Sequence, residues 1–305
     1  MTRCASSPRT NALMNTGVLM KIAGKPENRS AILWVWEPGA NRDRQRSEVG
    51  MGSPGLTDVL PVIVAIALPL IACESDTGLS VGVDGPEDVS IDITPILGHF
   101  GSEVEVSLDG DQVVIRSNGV PNHGSPYFDT GSIQHEAYTG SNQGFQLNPN
   151  RIAEQQWTFR VPVLAQRAAD ISATPLGPIG VAVNGVAIFN QYAGPNRPLT
   201  FEIDSFDQYN GHPQQTGVYH YHVEPLGITG VVGEEALIGV LLDGFPVYGP
   251  FEDGQMLGSS DLDDLHGHYG ATNDFPDGVY HYHVTGDDPY INGAGYYGVA
   301  GTVTG

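Results

Sequence analysis

The sequence predicts an all-β fold of antiparallel strands with an internal duplication and few short helices, and three observations carry that expectation. Charged residues make up only 16% of the 305 residues, against 40 Gly and 22 Pro, a turn-rich composition that does not suit long helices. Short segments alternate apolar and polar residues with the period of two of a half-buried strand. The heptapeptide Gly217-Val218-Tyr219-His220-Tyr221-His222-Val223 returns as Gly278-Val279-Tyr280-His281-Tyr282-His283-Val284, and an identity of that length and composition marks a repeat rather than a coincidence.

Taken in order, alternation predicts strands over 89–93, 104–108, 113–115 and 157–161, with 124–149, rich in Gly, Asn and Ser, as a loop. Short helical turns are expected only at 164–171 and 261–265. The stretch 180–189 then aligns with 239–248. Each holds an Asn-Gly or Asp-Gly pair, Asn184-Gly185 and Asp243-Gly244, between apolar runs, the signal for a type I′ hairpin. Each hairpin is followed by a Gly-His pair, Gly211-His212 after Phe206-Asp207 and Gly267-His268 after Leu262-Asp263. The repeating unit is thus hairpin, Gly-His loop and His-Tyr strand, over 180–223 and 239–284. A unit this small buries too little by itself, so the two copies are expected to pack face to face within about a dozen strands.

The N-terminal part reads differently. Val59 to Ala72 is an unbroken run of apolar residues and prolines that ends at Cys73. It is too short to span a membrane and fits the core of a bacterial lipoprotein signal. The expected organisation is a disordered leader with a signal segment over 1–72, a Gly/Asp/Ser-rich tether over 73–88, and a β domain over 89–305. Cys73 would carry the lipid, placing the protein outside the cytoplasm as a cell-envelope, lipid-anchored chain.

Charge narrows the partners. Residues 1–72 hold eight of the 13 Lys and Arg and five of the 35 Asp and Glu; the remainder has five basic and 30 acidic residues, a net of −25. Nucleic acid is excluded as a partner, because phosphate binding needs basic side chains. No lysine follows Lys25, which removes Schiff-base and P-loop chemistry. No Gly-x-Ser-x-Gly elbow occurs, and after Cys73 there is no cysteine to act as a nucleophile.

What remains is histidine. Six of the ten lie at matched positions: His212, His220, His222, His268, His281 and His283. In an extended strand His220 and His222 share one face and Tyr219 and Tyr221 the other, and the second copy repeats this. Same-face imidazole pairs with tyrosines and no thiol suit Cu(II) or Zn(II). His220 and His222 are expected to face His281 and His283 across one cleft, with Asp243 or Asp207 fixing an imidazole tautomer. Asp243 also has ordinary turn chemistry open to it, and the histidines could instead belong to a structural His/Tyr hydrogen-bond network. The Asp261-Leu262-Asp263-Asp264 run is an exposed charge cluster or a possible Ca site, without the spacing of an EF-hand. His266 has no counterpart in the first copy and is expected to be peripheral.

The set of motifs resembles the YHYH domain family of mostly bacterial, often exported proteins. Matching segments run from Ser117-Asn118-Gly119-Val120-Pro121-Asn122-His123 through both Gly-His pairs, both YHYH strands and 242–250 to Asp288-Pro289-Tyr290. Leu226, Leu265 and Ala294 stand about where many relatives carry cysteines, so disulfides or thiolate ligands of those relatives do not transfer. The resemblance adds His123 as a seventh candidate ligand. Three readings stand: an envelope-anchored lipoprotein that binds Cu or Zn, an extracellular metalloenzyme doing copper redox chemistry or metal-assisted hydrolysis, and a structural or carbohydrate-interacting β module.

Overall fold

The computed structural model describes residues 90–305; the leader, the signal segment with Cys73, and the tether lie outside them. Among the described residues no helix is long and apolar enough to cross a membrane. Strands dominate the described residues, which hold one α-helix, Leu226–Val232, and four 3₁₀ turns. The fold is all-β, as the composition indicates.

The duplicated unit forms one eight-stranded sheet. From one edge to the other it runs Gly211–Pro213, Tyr219–Tyr221, Ala187–Phe189, Pro178–Ala182, Leu237–Leu241, Pro246–Tyr248, Val279–His283 and Gly267–Gly270. This order reads the same from both ends. Its centre is the antiparallel pairing of the two leading hairpin strands, with Val181 opposite Val240, Gly180 opposite Leu241 and Ala182 opposite Gly239. Gly180 and Gly239 are equivalent residues, and a Cβ on either would collide with the backbone of the other strand. Every residue of Leu237–Leu241 is buried, so the sheet is covered on both faces at its middle.

Outward from this seam the copies repeat each other. The second hairpin strand pairs in parallel with the YHYH strand, Ala187 with His220 and Val247 with Tyr282. The YHYH strand pairs antiparallel with its Gly-His strand, His212 opposite His220 and His268 opposite His281. The sheet is therefore mixed, not purely antiparallel.

Four details differ from the sequence reading. The copies join edge to edge in one sheet and do not pack face to face, because hydrogen bonding between two bare hairpin edges satisfies backbone groups as well as burying side chains. The hairpin turns are not type I′. Gly185 and Gly244 have φ of 79° and 87° while Asn184 and Asp243 stay out of the left-handed region. With hydrogen bonds from Gly185 N to Ala182 O and from Gly244 N to Leu241 O, each is a type I turn closed by a glycine bulge. Leu164–Ser172 is a nine-residue strand, not a helical turn; it sits between Ser90–Asp92 and Tyr296–Gly298, and those partners, distant in sequence, outweigh its local composition. Residues 261–265 hold only the end of the 3₁₀ turn Ser259–Asp261. The loop expected over 124–149 contains one isolated bridge, Ser125 to His135.

A four-stranded antiparallel sheet, in the order Thr302–Thr304, Trp157–Pro162, Gln112–Ser117 and Glu105–Asp109, completes the larger elements. It meets the hairpin turn of the first copy where the Ser117 hydroxyl donates to Gly185 O.

Replacing Gly239 or Gly180 by alanine is expected to destabilise the protein by about 1–3 kcal/mol through overpacking at the seam. Urea unfolding of each variant checks this, with alanine at exposed, open Gly98 as the control that should change little.

Candidate metal centres

The alternation of the YHYH strand divides two kinds of chemistry. On one face the tyrosines are fully buried and each hydroxyl meets a fixed hydrogen-bond partner. Tyr219 donates to both carboxylate oxygens of Asp207 at 2.9 Å, and Tyr280 does the same to Asp263 at 3.0 and 3.1 Å. Tyr282 donates to Asp243 at 2.7 Å, whereas the equivalent Tyr221 accepts from the Asn184 amide at 3.1 Å. Burial pushes the Asp243 carboxyl up to about 6, against the opposing hydrogen bonds from Tyr282 and the backbone amides of Gly298 and Phe245. Burial likewise raises Asp207.

Asp207 and Asp263 have a second task. Each accepts from the backbone amides two and four residues further on, Tyr209 and Gly211 in one copy, Leu265 and Gly267 in the other. The carboxylate thus shapes the loop that delivers His212 or His268. Asn210 and His266 occupy the same left-handed position in these loops, with φ of 64° and 71°. His266 is buried and bonded to Thr285; it is a loop residue rather than a peripheral one.

On the opposite face the imidazoles converge. In the first copy His220 Nε2 lies 3.1 Å from His212 Nε2 and 2.9 Å from His222 Nε2. In the second, His268 Nε2 lies 3.1 Å from His281 Nε2 and 3.2 Å from His283 Nε2. The other ring nitrogens are tied to carbonyls: His220 Nδ1 to Val218 O, His222 Nδ1 to Asn190 O, His281 Nδ1 to Val279 O and His283 Nδ1 to Gly249 O. A carbonyl only accepts, so each of these Nδ1 atoms carries the proton and each Nε2 presents a bare lone pair. His212 is fixed in the same sense. Ser205 gives its one hydroxyl proton to Glu202 O, so it accepts from His212 Nδ1 at 2.6 Å.

A glutamate completes each cluster. Glu202 Oε1 is 3.2 Å from His212 Nε2, and Glu252 lies 3.2 Å from His268 Nε2 and 3.4 Å from His281 Nε2. In both groups, Glu202 with His212, His220 and His222, and Glu252 with His268, His281 and His283, the four ligand atoms lie within 4.8 Å of one another. Nitrogen ligands about 2.0–2.1 Å from an ion stand some 3 Å apart, depending on the coordination geometry, and these imidazoles are already at that separation. Each group could hold a metal ion.

Burial favours the neutral form of three of these imidazoles, and the carboxylates beside them are held ionised. Burial, with the neighbouring histidines, lowers His220 well below its ordinary value. Burial lowers His222 to about 4 and His283 to about 3. Burial works to raise Glu202, but His212 and His222 outweigh it and hold the carboxyl low. The nearby His281, and less strongly His268 and His283, hold Glu252 low as well.

The expectation of one shared site is overturned. The YHYH strands are second from opposite edges of the sheet, five strand spacings or roughly 24 Å apart, because the hairpin seam lies between them. His123 is not with the clusters. Its Nε2 bonds the Tyr221 hydroxyl at 3.0 Å and its ring lies 4.1 Å from that of Tyr209, on the tyrosine side. Asp207 and Asp243 make no hydrogen bond to an imidazole nitrogen; they hold tyrosines and backbone. In the acidic run Asp263 is engaged with Tyr280, and Asp261 accepts from Gly258 N.

Glu202 and Glu252 are absent from the sequence reading. Glu202 sits between two 3₁₀ turns, ten residues before His212, while Glu252 lies on the Phe251–Glu252 strand, 16 residues before His268. The copies supply the carboxylate from non-equivalent positions, so aligning them gives no signal.

Fold and site together define a β protein with two copies of a three-histidine, one-glutamate cluster. Residues 158–257 and 251–295 match the family model described as YHYH protein, so this part of the chain is similar to that family. Neither the curated proteins nor the solved structures include a significant match.

Replacing Tyr219 by phenylalanine should cost about 1–3 kcal/mol, because the buried Asp207 loses a donor to both its oxygens, and replacing Tyr280, whose partner Asp263 is half-buried, should cost less. Thermal unfolding checks this, with Tyr138→Phe, whose hydroxyl only bonds the backbone of Asn142, as the smaller effect.

Proposed function

We propose that the protein is an exported, cell-envelope-anchored lipoprotein that binds two transition-metal ions, Cu or Zn, one in each repeat. The carrying observation is that three Nε2 atoms converge in each cluster, 2.9–3.1 Å from that of His220 in the first and 3.1–3.2 Å from that of His268 in the second, while the Nδ1 protons of His212, His220, His222, His281 and His283 point to other acceptors. Lone pairs held that close repel unless a cation lies between them. Three neutral imidazoles and one carboxylate form a donor set of the kind that borderline divalent ions take, whereas Ca prefers all-oxygen shells. The backbone carbonyls on Nδ1 play the orienting part that metal-bound histidines require. In this reading the ligands are Glu202, His212, His220 and His222 in one centre and Glu252, His268, His281 and His283 in the other. Anchoring through a lipid on Cys73 rests on the apolar run before it, with 73–88 as tether and 89–305 as the domain. Metal is the partner proposed, and the membrane is touched only through the lipid.

The alternative of a purely structural His/Tyr network is weakened by the division between the faces. The tyrosines bond to Asp207, Asp263, Asp243 and Asn184, on the side away from the six clustered imidazoles, and the His/Tyr bond of His123 with Tyr221 lies on that side too.

Elemental analysis of untagged full-length protein should find two equivalents of Cu or Zn. His220→Ala and His281→Ala should each retain about one, the double variant none, and Cys73→Ala should leave the membrane fraction while keeping both ions. No stoichiometric metal after incubation with Cu(II) or Zn(II) would refute the metal reading, and unchanged fractionation of the Cys73 variant the anchoring.

The metal-free protein should lose stability as pH falls. His222 and His283 have folded values of about 4 and about 3, below the ordinary 6.5. The unfolded chain therefore binds more protons in that interval, and stability present above about 6.5 is progressively lost down to about 3. Denaturant midpoints measured across this range check it; the metal-loaded protein should hold its midpoint further into acid, since bound imidazoles take no proton until the ion leaves.

A further inference from the structure

The two clusters are built alike but covered differently, and three equivalent positions account for the difference. Over the first, the Phe189 ring stacks on His220 at 4.0 Å, and Phe206 lies edge-on to His212 at 4.8 Å and parallel to His222 at 5.9 Å. In the second copy Tyr248 stands for Phe189 and Leu262 for Phe206. The third position is Gln214, exposed with its amide on the Thr216 hydroxyl, against Gly270; they oppose Val218 and Val279 in matching registers.

Gly270 borders the second cluster directly. A Cβ there would lie 3.3 Å from His281 Cε1, 3.5 Å from Glu252 Oε1 and 4.0 Å from His268 Nε2. Its absence leaves space beside three of the four ligands. The side chain of His268 is 21% exposed, against 4% for His212. Glu252, His281 and His283 form one wall of a cleft of about 310 Å³ that also contains Tyr248, Thr272 and Asn273. The other four best-formed clefts are not lined by His212, His220 or His222.

We propose that the second cluster is an open metal centre whose ion accepts a small, neutral, oxygen-bearing ligand from this cleft, while the first is a closed, structural centre. The proposal rests on the two-ion reading above. Structural sites are sealed by protein, and reactive ones keep a position for an outside ligand. The cleft decides the class of that ligand. Glu235, Glu252 and Asp253 line it and no Lys or Arg does, so anions are repelled. Hydroxyl and amide groups are offered partners: Thr272 and Asn273 stand in the wall beside the Tyr248 hydroxyl. That hydroxyl is fixed by Asp274 at 2.8 Å and Thr272 at 3.0 Å, and Asp274 in turn by His99 at 2.7 Å. The equivalent Phe189 has nothing of the kind.

The test uses full-length protein loaded with two equivalents of Zn(II) or Co(II). Release of Zn(II) to a chromophoric chelator should be biphasic, one equivalent leaving roughly tenfold or more faster, a barrier difference of about 1.4 kcal/mol. Gly270→Gln, which restores the first copy's residue, should slow the fast phase toward the slow one with both equivalents still bound; Gly270→Ala should act in the same direction where the larger residue impairs folding. In the Co(II) protein, neutral acetamide should change the visible spectrum of one ion, and anionic azide should do so at least several-fold more weakly. A single release rate for both ions, a fast phase untouched by filling position 270, or azide binding as well as the neutral probe would overturn the proposal while leaving the two-ion reading intact. Failure to take up metal at all would overturn both.

Discussion

The seam between the two hairpins is the constraint on which the rest depends. Gly180 and Gly239 let two backbones approach where any side chain would collide, and the antiparallel pairing of Val181 with Val240 makes one sheet of two copies. Everything outward follows from that pairing by repetition. Each hairpin offers its far strand to a YHYH strand in parallel, and each YHYH strand receives its Gly-His strand. A duplicated gene segment therefore gives two clusters at a distance rather than one between the copies.

Within each copy the strand alternation separates support from chemistry. The tyrosine face is apolar, buried and tied down by carboxylate or amide partners, which fixes the rotation of the strand. The histidine face is then held to the same rotation, and backbone carbonyls choose the tautomer. A buried, polar network of this kind is stable only when each member is satisfied. The tyrosine face meets that requirement from within the protein. The Nε2 atoms do not, which is why the arrangement points to a cation.

Symmetry is broken where it affects access. The carboxylates come from non-equivalent turns, and Phe189, Phe206 and Gln214 give way to Tyr248, Leu262 and Gly270. The backbone framework, set by hydrogen-bond register, was kept in both copies; the residues bordering the imidazoles were free to diverge because they carry none of that register.

By itself the sequence determined the all-β class, the presence of the repeat, and the six histidines that gather in threes. Those features are local: strand period, turn residues, and identity between copies all lie within a few residues of one another. The glycine after Asn184 and Asp243 marked the turns but not their type, since the left-handed residue could have been one or two positions long. Only the tertiary structure decided that Leu164–Ser172 is a strand, because its partners lie more than 70 and more than 120 residues away in the chain. Only it separated the two clusters, since strand order is not encoded in a repeat's own pattern. It also moved His123, Asp207 and Asp243 to the tyrosine side and brought in Glu202 and Glu252. A carboxylate ten or 16 residues from its histidine has no periodic relation to it, and its place depends on how intervening turns fold back over the sheet.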